Sequence, residues 1–424
     1  MGKKLGIYIH IPFCASKCSY CDFYSLADCK GKMEDYRDAV IRHIYESASS
    51  LQAYEIDTVY FGGGTPSYFG ARRICDLFQA LKDLGNVLRD AEVTMEANPD
   101  SLRREDLRLL RRNGVNRISL GMQSANNDIL RLIGRRHNFQ QVQMAVRNAR
   151  KSGIENISLD LIYGLPSQSK EDWADTLAKA IELHPTHISC YGLQLEEGTP
   201  LYERYHDSPM IPSGDDQADM YLFAVETLRT YGYNQYEISN FSLPGKECRH
   251  NLKYWKLQDY VGFGPSAASC VGNLRYSYIR DLDAYIRGFT EDGDILAERE
   301  TISDVARASE YIMLGMRTTD GINQGEYRRI YRSDWTPIEK RLQEFRARGW
   351  ADTREDRWFF TPSGFLVSNQ LIEILLEEQA GEKVQSNPWM QKAFDRQFDN
   401  MTMPQDDEDR FRAIYDSELL KYDT

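Results

Sequence analysis

Cys14, Cys18 and Cys21 stand in a C-x3-C-x2-C spacing, directly after a short apolar run, within IYIHIPFCASKCSYCDFYS at residues 7–25. Three thiolates this close can ligate three irons of a cubane [4Fe–4S] cluster and leave the fourth iron without a protein ligand. An open iron is a binding position, so the spacing points to chemistry rather than to a finished structural site. Two other readings stay open on the residues alone. A zinc knuckle would ask for a fourth Cys or His and usually for C-x2-C pairs, and three cysteines can also be unrelated packing residues. Tyr20, inside the loop, favours the cluster, because a low-dielectric, hydrogen-bonded shell tunes such a group. The remaining cysteines (Cys29, Cys75, Cys190, Cys248 and Cys270) are scattered without a framework spacing, as expected where thiols stay reduced.

The elements that must position this loop alternate in type. Strand patterns fall at Gly6–Phe13, Asp57–Phe61, Glu92–Ala97, Arg117–Met122, Asn156–Tyr163 and His187–Leu195. Helical patterns lie between them, at Met33–Leu51, Ala71–Leu84, Arg104–Arg112, Phe139–Ser152 and Lys170–Leu183, with Gly114 and Gly153 as stops. Strands alternating with helices make a parallel sheet, since each return must cross over. Six units are two short of a closed eight-stranded barrel, so the expected fold is α/β, an open partial (β/α)6 barrel. Ligands then sit at the C-terminal ends of the strands.

Every polar motif falls at such an end. Gly62-Gly63-Gly64-Thr65 follows the second strand, where glycine lets backbone approach a ligand. Glu96 closes the third in Met-Glu-Ala-Asn-Pro, Gln123 closes the fourth, and Arg135 follows in Gly-Arg-Arg-His. Asp160 lies on the apolar fifth strand, a costly place for a charge without a partner. A carboxylate at Glu96 suits ribose hydroxyls or an ammonium; the bland alternative for Glu96, Arg135 and Asp160 is an ion-pair network inside the barrel.

Further along, Asp215–Tyr231 is a long helix, and Cys248-Arg-His-Asn-Leu-Lys-Tyr-Trp255 brings His250 among aromatics. Imidazole is a common axial ligand to heme iron, but a histidine beside Asn and Trp also serves as a hydrogen-bonded framework residue. Gly262-x-Gly264 has no βαβ unit around it and is not a dinucleotide loop. The expected division is a partial barrel over 1–240, a connecting segment over 241–300 with the H-N-x-x-Y-W motif, a helix-rich, winged-helix-like domain over 301–380, and an acidic tail over 381–424. The chain of 424 residues has a net charge of −12, which argues against a nucleic-acid partner. No stretch reaches the ~18 apolar residues of a membrane span, and Lys3 and Lys4 lead into a strand rather than a signal-peptide pattern. A cytoplasmic protein is expected.

The cysteine loop with an aromatic before its last Cys, placed after the first strand, resembles the radical S-adenosylmethionine (SAM) superfamily. The fuller string Tyr-Ile-His-Ile-Pro-Phe-Cys is similar to the branch that holds the oxygen-independent coproporphyrinogen III oxidases and the HemW heme chaperones, over nearly the whole chain. The resemblance implies that the open iron is chelated by SAM, whose one-electron reduction yields a 5′-deoxyadenosyl radical. It implies SAM contacts at Tyr8, Gly64, Thr65, Glu96, Gln123, Arg135 and Asp160, a heme contact at His250 in H-N-x-x-Y-W, and the family's C-terminal domain over 301–380. Phe23 stands where the oxidases carry a further cysteine, and the first strand begins almost at residue 1, without the segment that precedes it in the oxidases. Both features point to the chaperones. Against them, Pro265 is followed by Ser266-Ala267-Ala268-Ser269 where chaperones usually continue Gly-Ala-His. The implied function is transfer of heme to acceptor proteins, some of them membrane-associated, with a flavodoxin or ferredoxin as low-potential electron donor. The alternative is a radical enzyme acting on a tetrapyrrole by decarboxylation, methylation or ring opening, so catalytic turnover stays an open question.

Overall fold

Alternation along the strands decides how the sheet is dressed. Leu5, Ile7, Ile9 and Ile11 are fully buried in one large core, as are Ile118, Leu120 and Met122, and Ile157, Leu159 and Leu161. The residues that alternate with them are polar or glycine: Tyr8 and His10, then Ser119, Gly121 and Gln123, then Ser158 and Asp160. Parallel strands covered by helices on both faces would be apolar throughout. Here one face packs beneath helices and the other lines a polar interior.

The computed structural model describes residues 2–381 apart from 292, 332 and 333. Its main sheet has twelve strands: β1 (Lys3–Ile11), β2 (Tyr54–Gly63), β3 (Val87–Ala97), β4 (Arg117–Gln123), β5 (Asn156–Tyr163), β6 (His187–Gly192), β7 (Asn234–Glu237), β8 (Asn240–Ser242), β9 (Tyr260–Phe263), β10 (Ala268–Val271), β11 (Leu274–Tyr278) and β12 (Leu296–Thr301). Their spatial order is β12-β11-β10-β9-β1-β2-β3-β4-β5-β6-β8-β7. Strands β1 to β6 run parallel in sequence order, and the sheet does not close. This is the open partial barrel that the six-unit count predicts.

Helices Met33–Glu46, Ala71–Asp83, Arg104–Asn113, Phe139–Lys151 and Lys170–Glu182 make the crossovers. Two begin with capping boxes, Asn138 with Gln141 and Ser169 with Asp172, each satisfying donors that a helix start leaves over. The expected helix 33–51 breaks at Ser47, β1 starts three residues early, and β6 stops at Gly192 rather than Leu195.

The largest difference lies at 241–300. Instead of a connection, this segment extends the sheet. β9 pairs parallel with β1, with Gly6 opposite Tyr260 and Tyr8 opposite Gly262, and β10 to β12 follow antiparallel. Strands of four to six residues are too short for a period to show; pairing with β1 sets them.

Past residue 303, helices Asp304–Gly315, Gln324–Tyr331, Thr336–Ala347 and Ser368–Ala380, with a three-stranded antiparallel sheet, form a second core around Trp335, Ile338, Leu342 and Leu371. This helical unit covers the sheet's β7 edge: Ile238 N donates to Arg317 O at 2.9 Å and Thr319 N to Tyr236 O at 3.1 Å, shielding groups an edge would leave unpaired. Among the described residues no helix is long and apolar enough to cross a membrane. From 382 on, the expected acidic tail lies outside the described residues.

Candidate cofactor site

The loop after β1 carries its three cysteines to the rim of a cavity of about 510 Å³. Backbone bonds hold the loop: Cys14 N to Leu26 O at 3.0 Å, Leu26 N to Pro12 O at 2.7 Å, and Ser19 N to Ile133 O at 3.2 Å. Cys14, Cys18 and Cys21 all line the cavity, and all eight cysteines of the chain are free thiols. Burial pushes the Cys14 and Cys21 thiols up, and the proximity of Cys18 adds to it; a metal would reverse this by taking the thiolates directly. Among the described residues no three His, Cys, Asp or Glu side chains converge closely enough to hold one metal ion. Thiolates serving three separate irons stand further apart than those around a single ion.

Donors are aimed at these sulfurs. Arg135 Nη1 lies 3.6 Å from Cys18 Sγ and 3.5 Å from Tyr20 Oη, while Nη2 donates to Gly121 O at 2.7 Å and to Asn98 Oδ1 at 2.8 Å. Asn98 Nδ2 in turn donates to Thr65 Oγ1 at 3.3 Å, which leaves the Thr65 hydroxyl proton for Cys14 Sγ, 3.3 Å away. Donors to sulfur stabilise the electron-rich state of a cluster. Gly121 makes room: a Cβ there would stand 2.8 Å from Arg135 Nη2. The cavity and its donors thus fit a cluster held by three cysteines.

Two carboxylates face inward from the neighbouring strands. Glu96 accepts from Tyr60 Oη at 2.8 Å and from Gly63 N at 3.1 Å. Gly63 has φ of +108°, and a Cβ on it would meet the His10 ring, so the turn at the end of β2 requires glycine. Asp160 accepts from Ser119, Ser158 and Ser189, the shortest contact being 2.8 Å from Ser189 Oγ. Burial raises Glu96 to about 7 and raises Asp160 as well. Gln123, at φ +64°, turns into the cavity at a register shift between β4 and β5.

Six of the SAM residues that the resemblance implies (Gly64, Thr65, Glu96, Gln123, Arg135 and Asp160) therefore share one cavity wall with the cysteines. Tyr8 and His250 are not on that wall. Tyr8 lies behind Tyr60, ring centroids 6.2 Å apart, and hydrogen-bonds His10 Nδ1 at 3.0 Å. His10 Nε2 bonds Tyr24 O at 2.8 Å, and burial holds its pKa near 4. His250 is 0 % exposed. Its Nδ1 pairs with Thr58 Oγ1 at 2.9 Å and its Nε2 with Tyr254 Oη at 2.8 Å, and its pKa is lowered to about 3, by burial above all. Both ring nitrogens are engaged, so no lone pair faces out for heme iron. The neighbour that does line the cavity is Asn251.

Sequence reasoning assigned no role to Asn98, Arg117 or the serines around Asp160. Asn98 was visible in Met-Glu-Ala-Asn-Pro and the serines as alternating polar positions, but which of them face one another depends on register.

Comparison with known proteins matches this arrangement to a family. Residues 8–180 match the Radical SAM superfamily. The structure of "Coproporphyrinogen III oxidase (HemN) from Escherichia coli", titled a Radical SAM enzyme, overlays with a TM-score of 0.78 at 23% identity, covering 88% of this chain and 90% of its own, and shows the shared fold. The heme chaperone HemW of Lactococcus lactis is 33% identical over 376 residues, covering 88% of this chain and 98% of its own. That of Escherichia coli is 34% identical over 377 residues with the same coverage. Fold and cysteine site define a radical SAM protein. Within that superfamily the chain belongs to the heme chaperone HemW family.

Proposed function

We propose that this protein is a heme chaperone: it carries a [4Fe–4S] cluster on Cys14, Cys18 and Cys21, holds SAM beside it, and passes heme to acceptor proteins. The observation that carries the cofactor half is the single cavity wall shared by the three cysteines and Gly64, Thr65, Glu96, Gln123, Arg135 and Asp160. The heme half is supported by the function for which the HemW relatives are named.

Cys14, Cys18 and Cys21 would hold the cluster, which would supply low-potential one-electron chemistry beside SAM, with a flavodoxin or ferredoxin as donor. Arg135 and Thr65 would donate to the Cys18 and Cys14 sulfurs that hold the cluster, Glu96 and Asp160 would accept from hydroxyl or ammonium groups of SAM, and the Gly63–Gly64 turn would let its methionyl end approach the backbone. The loop and barrel wall exclude water from the reacting bond. Free thiols throughout suit a reducing, cytoplasmic compartment.

The intact set of inward polar residues favours one second reading, a radical enzyme that modifies a tetrapyrrole. Mass spectrometry after anaerobic incubation with reductant, SAM and either heme or coproporphyrinogen III separates the two. Unchanged masses with heme retained are expected; loss of carboxylates or gain of a methyl group would establish the enzyme instead. Replacing any one of Cys14, Cys18 and Cys21 by alanine should abolish the iron and sulfide that reconstitution delivers to the wild type. Stoichiometric zinc with no cluster would sink the cofactor assignment.

A further inference from the structure

Below the wall just described, the cavity reaches Arg117, which lines it with only 2 % of its surface exposed. Arg117 opens β4, opposite Thr94 and two residues before Ser119, which sits opposite Glu96. A guanidinium does not give up its proton inside a protein, so a fixed positive charge stands under the site. A framework arginine this deep is normally clamped by a carboxylate. Among the described residues Arg117 has no such clamp: its Nε makes no hydrogen bond, and the surrounding carboxylates take theirs elsewhere. Glu92 accepts from the backbone N–H groups of Arg249 and His250, at 3.2 and 3.1 Å. Asp160 accepts from three serines and Glu96 from Tyr60 and Gly63, and both carboxylates keep acceptor sites to spare.

We propose that Arg117 is a positioning residue, whose charge favours the carboxylate forms of Glu96 and Asp160 that accept hydrogen bonds from bound SAM. The inference rests on the SAM site proposed above. Through a dry interior an unlike charge acts on a carboxylate without touching it. Around Glu96 stand Tyr8 from β1, Tyr60 from β2, Arg117 from β4, Asp160 from β5 and Tyr254 from the helix Arg249–Trp255; Arg117 is the cation among them. Arg117 itself is faced by Glu92, Tyr60, Tyr236 and Cys248, and its charge acts on His187 and His250. Burial lifts Glu96 to about 7 and Asp160 above its ordinary range, and Arg117 pulls both the other way.

The test is SAM binding to the anaerobically reconstituted full-length protein, by calorimetry from pH 6 to 9, for wild type and for Arg117→Lys, Arg117→Gln and Arg117→Met. Wild-type affinity should fall below a midpoint near neutrality. In the two uncharged variants that midpoint should move up by about one pH unit, which is about tenfold weaker binding at pH 6 with little change at pH 9. Arg117→Lys should restore the wild-type profile, and Glu96→Gln should flatten it. A profile unshifted in Arg117→Gln, or a loss equal at every pH, overturns the inference while leaving the SAM site standing. If the wild type binds no SAM at any pH, both fall. If neither uncharged variant folds while Arg117→Lys does, Arg117 belongs to the framework and the inference is overturned.

Discussion

His250 shows how one residue can invite two readings that only its surroundings separate. Its place in H-N-x-x-Y-W suggested heme ligation, yet Thr58 and Tyr254 occupy its two nitrogens in a fully buried pocket. His250→Ala should therefore leave the Soret spectrum of bound heme unchanged. It should lower stability by about 2 kcal/mol or more, since two hydroxyls lose their partner in a dry interior. Titration with heme followed by urea denaturation reads both; a shifted Soret band would return His250 to the heme site. The cysteines were legible because ligand spacing within one loop is a local property. Glu96 and Gln123 were legible as polar residues at strand ends, where the fold class puts ligands, and Asp160 as a charge on an apolar strand. Asn98 and Arg117 were not, because nothing in a lone Asn or Arg marks which strand it will face.

At the scale of elements, helix starts and the helix under the site carry separable contributions. Ser169 caps the helix Lys170–Glu182 in a capping box with Asp172, so Ser169→Ala should cost about 1 kcal/mol and leave cofactor binding alone. Glu92 reaches from β3 to the start of the helix Arg249–Trp255, accepting from two backbone N–H groups and facing the Cys248 thiol at 3.7 Å. Glu92→Gln keeps the size but gives up charge-assisted bonds, and should cost about 1–3 kcal/mol in urea melts. An equal effect of the two substitutions would show that Glu92 does no more than an ordinary cap. Helices and the six parallel strands could be read from period and from glycine stops, since those follow from backbone geometry. The strands β9 to β12 could not: each is too short to show a period, and they exist because β1 offers an unpaired edge.

For the whole molecule, buried histidines set the acid limit. His10 is held near 4 and His43, His137 and His250 near 3, with burial as the main cause, and His187 is lowered as well. Each stays neutral in the fold while the unfolded chain protonates it below about pH 6.5. The unfolded state thus binds more protons, and stability present above pH 6.5 is lost as pH falls, by about 1.4 kcal/mol per pH unit for each proton. Glu96 and Glu237, both raised to about 7 by burial, act oppositely: their contribution is present below the ordinary glutamate range and fades as pH rises through 7. The histidines outnumber them, so thermal midpoints should be lower at pH 5.5 than at pH 7.5. The His43 ring bonds the hydroxyls of Tyr285 and Tyr278, and His43→Leu should flatten that slope; a midpoint that rises toward acid would contradict the account.

Sequence alone was enough for the cysteine loop and the run of parallel strands, because residue spacing and hydrophobic period are short-range properties, and its resemblance to a known family was enough for the class of protein. Folding in three dimensions was needed to make 241–300 part of the sheet, to take His250 out of reach and to set Arg117 beneath Glu96 and Asp160. Those outcomes depend on register between strands far apart in the chain, and register is decided by packing.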